Sequence, residues 1–345
     1  MRHDHARPAA SGAAGREFPG VAVRFSSRSR RPVVGALGAL GAVTLVASLA
    51  ACGGAGSGGS GGSGGGSGAK ASSPVAVSEA DYQTALTAVD TALTAPFTQL
   101  RGARTPKAVA DAASKAADAA NAQLTTLRNL VPPAPAASGH ETFVTGLDAL
   151  AKELDGAKSD GDGAKLCAGS AASSQVGRSD GATQVRTAAA TLAKADPAHP
   201  YTVGKFLPAS SPEANRRLAN GALIKGAKGG EGKLQVTNGG STDAVVTLVK
   251  VKATAATLKI YVRGNATANA TRIPDGSYDI LISFGDDWDP ALRLFTRSCS
   301  FEKFDTTTDY RTTASTYSNY RITLTPVAGG NASTSEVDPG SIPAA

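Results

Sequence analysis

Methionine and tryptophan each occur once in the 345 residues, and aromatic residues make up 5% of the chain. A core of any size here must therefore be built mainly from aliphatic side chains and alanine. Histidine occurs four times; His3 and His5 lie at the N-terminus, which leaves His140 and His199 for the remainder. That scarcity excludes a His-Glu-x-x-His zinc helix and the Glu-x-x-His pairs of a di-metal centre, and no Walker loop is present. Alternating β–α units, which a two-lobed solute receptor would need, are missing as well. A carboxylate-pair glycosidase leaves no local motif, because its two acids can come from distant segments.

Basic charge is scarce where it would matter. The whole chain carries a formal +7, but seven of its 35 Lys and Arg are arginines before residue 52, opposed there only by Asp4 and Glu17. The remainder carries +2. A nucleic-acid binder needs a dense basic face, so the sequence predicts no nucleic-acid partner.

What stands before residue 52 is patterned. Arg28, Arg30 and Arg31 precede an uncharged apolar run from Pro32 to Leu49, and Leu49-Ala50-Ala51-Cys52 follows. The run, about 18 residues, is short for a membrane span. Together these residues resemble the export signal of bacterial lipoproteins: a basic n-region, a hydrophobic segment and a lipobox ending in cysteine. The resemblance implies a diacylglyceryl group on the Cys52 sulfur and cleavage just before it, with membrane lipid as the partner of the acylated cysteine. It places the protein on the extracytoplasmic face of the cell membrane. Ser29-Arg30-Arg31 leaves Sec and twin-arginine export both open, and the long stretch before it leaves open a start downstream of Met1.

Residues 53–74 are nearly all Gly, Ser and Ala. Such a segment buries too little apolar area to offset its ordering entropy and is expected to act as a flexible tether. Its root-mean-square span is roughly 25 Å and its taut limit about 75 Å.

From Ser78 to about Ala195 the apolar residues recur at helical steps. Tyr82, Leu86, Val89, Leu93, Phe97 and Leu100 share one face, with Ser78 as N-cap. Thr105-Pro106 opens a second helix in cap-then-proline order, with a seam of Val109, Ala113, Ala117, Ala120, Leu124 and Leu127. Ser138 and Glu141 read as a capping box ahead of Phe143, Leu147, Leu150 and Leu154. Val185, Ala188, Ala189 and Leu192 mark a fourth helix. Short breaks between helices of similar length predict an antiparallel four-helix bundle. His140 is expected in a solvated loop beside the cap. Asp160-Gly161-Asp162-Gly163 opens like a calcium loop, but Ala164 and Lys165 follow where that pattern wants a ligand and a glycine, so a flexible turn is expected.

After Asp196-Pro197 comes a Pro/Ser-containing link and then β-type alternation. Strands are predicted at 233–237, 244–250, 258–263, 278–284, 293–295 and 321–325, with turns at Asn238-Gly239 and Asp275-Gly276. The run Ile273-Pro-Asp-Gly-Ser-Tyr278-Asp-Ile280, with Leu234–Asn238 and Asp243–Leu248 before it, resembles the signature of carboxypeptidase-regulatory-like and Cna-B-type domains. That resemblance implies a prealbumin-like β-sandwich with a binding or spacer role and no catalytic residues to transfer.

Together these readings give an α+β, multidomain chain. The expected divisions are 1–51 signal peptide, 52–75 lipidated cysteine and tether, 76–195 helical bundle, 196–218 linker, 219–330 antiparallel β-sandwich and 331–345 disordered tail. Two candidate sites stand out. Asp286, Asp287, Trp288 and Asp289 set three carboxylates around the only tryptophan, an arrangement that could contact a sugar face or a cation; packing of Trp288 against the sandwich edge is the competing reading. Lipidation of Cys52 leaves Cys167 and Cys299 as one possible disulfide in an oxidising setting, joining the two halves.

The functional expectation is a membrane-anchored, monomeric lipoprotein acting as a non-catalytic binding or structural module of the envelope, without cofactor or metal. Wall glycan or another envelope protein would be its partner. The alternative is an accessory glycan hydrolase using carboxylates near Asp286–Asp289. Two acyl chains at one site suffice for stable membrane residence. Cys52→Ala is therefore expected to abolish the lipid mass shift and to leave uncleaved precursor or release the protein from the membrane fraction. An alanine variant that still partitions into detergent with the wild-type mass shift would sink the lipobox reading.

Overall fold

From Glu79 onward the α-helices precede the strands along the chain. The computed structural model describes residues 22–25, 75–326 and 332–343; Cys52, its lipobox and the tether at 53–74 lie outside the described residues. The described part is mixed α+β, and no described helix is long and apolar enough to cross a membrane.

Five α-helices follow a short strand at Ala22–Phe25: α1 Glu79–Gly102, α2 Pro106–Arg128, α3 Ala137–Asp162, α4 Gly169–Arg178 and α5 Asp180–Ala195. The Ser78 and Thr105 hydroxyls accept from the amides of Asp81 (3.1 Å) and Ala108 (3.2 Å), so each cap satisfies an otherwise unpaired donor. All six residues of the predicted α1 face are fully buried, together with the alanine-rich seam of α2.

Three helical expectations are corrected. The first turn of α3 begins at Ala137 without a side-chain cap, so Ser138 and Glu141 form no capping box. His140 consequently sits inside the helix and is buried, with Nδ1 3.2 Å from the Tyr82 hydroxyl. The acidic-glycine run is helix as far as Asp162, because Gly161 lies against α2: a Cβ there would sit 2.8 Å from the Ala110 amide nitrogen. Glycine is tolerated at this helix position because only a bare Cα lets the backbones approach. The short α4 was not predicted at all; Gly169-Ser-Ala-Ala-Ser-Ser carries almost no apolar periodicity.

The strands are β1 Ala22–Phe25, β2 Leu223–Lys225, β3 Gly232–Asn238, β4 Asp243–Lys250, β5 Ala256–Val262, β6 Ala266–Ile273, β7 Gly276–Asp289, β8 Leu294–Phe304, β9 Thr308–Tyr310, β10 Asn319–Pro326 and β11 Thr334–Glu336. One sheet has the order β1-β10-β3-β6 and the other β11-β8-β7-β4-β5-β2, with β9 added to β7. The pairing is antiparallel-rich, but β10 runs parallel to both β1 and β3. Leu234, Val236, Ala268 and Ile322 of the first sheet share one apolar cluster with Val246, Leu248, Ile260 and Ile280 of the second.

Both sharp turn signals lie where the chain leaves one sheet for the other. Asn238-Gly239 joins β3 to β4 and Asp275-Gly276 joins β6 to β7, so neither closes a hairpin. Asn238 is buried, and its amide donates to the Thr242 carbonyl (2.8 Å), which pins the corner. Gly276 adopts φ +145, a backbone geometry that side chains disfavour. Strand β6 escaped prediction because Ala-Thr-Ala-Asn-Ala-Thr-Arg-Ile is weakly apolar; Ala268, Ala270 and Ile273 nonetheless face the core. The tail expected to be disordered contains β11, paired antiparallel with β8.

In β4 both faces are buried. Ala244, Val246 and Leu248 enter the shared β cluster, while Val245 belongs to a second cluster with Tyr261, Trp288, Phe295, Cys167 and Cys299. The expected linker also packs. Tyr201, Val203 and Phe206 join the helical core, and Asp90 of α1 accepts from the amides of Gly204 (2.8 Å) and Lys205 (3.0 Å).

The two halves are joined by backbone pairing as well as by side chains. The Cys167 amide donates to Thr296 (2.8 Å), and the amides of Ser298 and Cys299 donate to Lys165 (3.0 Å) and Ala164 (2.9 Å). This bridge holds the Cys167 and Cys299 Cα atoms 6.3 Å apart, with the sulfurs at disulfide distance, 2.17 Å. The pair is separated by 132 residues, and a cross-link closing such a loop stabilises by about 5 kcal/mol as an upper estimate. Thiol labelling of unfolded, unreduced protein is expected to find neither cysteine reactive; labelling of both would show that the joint holds two thiols.

Candidate functional site

Strand β7 runs through the acidic-tryptophan stretch, which therefore forms part of the sheet. The register with β8 shifts between Phe284 and Asp286, and Asp287 adopts φ 55, so the strand kinks where its carboxylates begin. Asp286 is exposed, whereas Asp287, Trp288 and Asp289 are buried.

Asp287 and Asp289 share one partner. Arg216 donates through Nε (2.8 Å) and one terminal nitrogen (2.7 Å) to the two oxygens of Asp287, and its other terminal nitrogen lies 3.1 Å from Asp289. The Arg216 amide and the Thr296 hydroxyl complete the Asp287 shell at 2.9 and 2.6 Å. Burial alone would raise the Asp287 carboxyl; the Arg216 and Thr296 hydrogen bonds outweigh it and hold the group below the usual carboxylate range. Asp289 also accepts from the amides of Ala291 (2.9 Å) and Leu292 (3.1 Å), tightening the turn into β8.

A parallel arrangement holds Asp243. Arg217 grips both of its oxygens, the Tyr261 hydroxyl donates to it, and the Gly264 amide lies at 2.9 Å. Consecutive arginines of the link thus engage two buried acids in β7 and one in β4. The sequence reading missed both, because an arginine pair in a Pro/Ser stretch carries no periodicity.

Trp288 is 4% exposed and packs edge-on against Phe295 (centroids 5.1 Å) and Tyr261 (5.8 Å). What remains of its surface lines a cavity of about 520 Å³. The cavity lies where the helical half, the second sheet and the C-terminal segment meet: Arg104 follows α1, Val245 and Lys259 come from β4 and β5, and Pro339, Ile342 and Pro343 close it. Lys259 is 5% exposed and donates to the Pro343 carbonyl. Burial, then the positive charges of Lys225 and Arg293, push its ammonium down to about 8.

Two other arrangements offer less. Glu79, Asp196 and His199 each bring a potential ligand atom within 4.8 Å of the others, but Asp196 caps the Ala198 amide and His199 is 71% exposed, as in a surface turn. Gly177-Arg-Ser179-Asp-Gly181 has the spacing of a nucleophile elbow, yet Ser179 caps α5 by accepting from Ala182 (3.2 Å), between two helices and with no preceding strand. No protein-family model, curated protein or solved structure matches the chain.

Arg216→Met leaves Asp287 buried without its cation and is expected to cost about 3 kcal/mol. Because the folded Asp287 titrates below its unfolded value, its contribution is present above roughly pH 4 and lost as pH falls through that lower folded value. In the variant, burial is opposed only by the Thr296 hydroxyl and the residue-216 amide, and the acid-unfolding midpoint should move to higher pH. An unchanged midpoint in a circular-dichroism acid titration would show that the ion pair adds nothing.

Proposed function

We propose that this protein is a membrane-anchored, extracytoplasmic lipoprotein acting as a non-catalytic binding module of the cell envelope, with the cavity beside Trp288 as its binding site. The observation that carries the reading is that cavity, which has the size of small-molecule sites, lies where separately folded elements converge, and combines apolar walls with a few charged side chains. The lipobox at Cys52 and the Gly/Ser tether support the location. A cysteine pair at disulfide distance is in keeping with export.

In the same reading, α1, α2, α3 and α5 form an antiparallel four-helix bundle with α4 as an added turn, and the two sheets form a prealbumin-like sandwich. The carboxylates at 286–289 are read as structural, since the two buried ones are bound to Arg216. The partners are membrane lipid at Cys52 and an envelope component at the cavity.

Protein purified from membranes should carry a non-covalent small-molecule adduct in native mass spectrometry, and incubation with peptidoglycan or wall glycans should release no soluble fragments. Soluble fragments, lost on Asp289→Asn, would replace the binding role with the hydrolase alternative.

A further inference from the structure

We propose that the cavity beside Trp288 takes an amphipathic anion, a single carboxylate or phosphate head on an apolar body; this rests on the binding role assigned to the cavity above. The apolar component is built from Trp288, Phe295, Phe301, Val245 and Ile342, which line the same cavity. Among the described residues the charged side chains that line the cavity are Arg104, Lys259 and Arg293, with no Asp or Glu. The buried acids Asp287 and Asp289 of β7 are bound to Arg216, and Asp243 of β4 to Arg217.

Lys259 sharpens the inference. Its side chain is buried, its hydrogen bond goes to a neutral main-chain carbonyl of Pro343, and the charged groups acting on it, Lys225 and Arg293, are positive. Across β4 its neighbour is Thr247, which brings no charge. An ammonium removed from water without an anion is costly, and a ligand oxyanion would supply both the missing charge and a charge-assisted hydrogen bond. A cationic ligand would add a positive charge beside Lys259. A neutral one would leave the cost in place.

Trp288, the only tryptophan, reports from the cavity wall. The full chain in phosphatidylcholine vesicles is titrated with octyl phosphate, octyl glucoside, octyltrimethylammonium and inorganic phosphate while its emission is followed. Octyl phosphate should give a saturable change, at least tenfold tighter than either other amphiphile. Lys259→Met keeps the stem and removes the charge, which leaves packing intact; it should weaken octyl phosphate at least tenfold while its melting temperature stays at or above that of the parent. Equal binding of octyl glucoside and octyl phosphate, or an unaffected Lys259→Met, would overturn the anion assignment while leaving a binding cavity. Inorganic phosphate binding as tightly as octyl phosphate would overturn the amphipathic assignment. Failure of all four probes would remove the binding role itself.

Discussion

A strand that is apolar on both faces has to be covered twice, and β4 is such a strand. Ala244, Val246 and Leu248 are covered by the facing sheet; Val245, Thr247 and Val249 require a second cover. That cover is assembled from pieces remote in sequence: the bridge around Cys167, the link near Leu218 and Ala222, and the C-terminal segment. The contact between the helical and β halves follows from this requirement. The backbone bridge at 164–167 and 296–299, the cysteine pair and the two arginine–aspartate pairs all cluster around the second face.

Such a composite cover fills less evenly than a single helix would. Where its pieces meet, the 520 Å³ cavity remains. The inclusion of Lys259 on that face is the informative exception to its apolar character, because a buried lysine costs free energy that an aliphatic residue in the same place would not. Natural sequences depart from local packing rules most often where a site needs the group.

Much of the fold was legible because it is written in periodicity. The six buried residues of α1 and the seam of α2 follow directly from their spacing, as does the alternation of β3. Among the elements that escaped, α4 and β6 are rich in Gly, Ala, Ser and Thr, whose burial depends on close backbone approach and leaves little hydropathy signal, while β2 and β9 are three residues each, too short to show alternation. The Trp288 stretch was legible as special but not in its role: three acids in a row suggest solvent until an arginine seventy residues away is brought beside them. The cavity was invisible in sequence, since residues 104, 259, 288 and 342 acquire a common meaning only once the chain has folded. The tail was expected to be disordered, yet Thr334–Glu336 pair antiparallel with the β8 edge.

The position of Pro339, Ile342 and Pro343 in the cavity wall has a consequence for biogenesis. A chain is synthesised N-terminus first, so the helices can close before the strands from β2 onward have appeared. Cys299 arrives 132 residues after Cys167, and the C-terminal segment arrives after both. Every earlier contact can therefore be in place while the cavity still lacks a side. A product shortened by a dozen residues would keep its helices, its shared β cluster and its cysteine pair, and would still be an open cup.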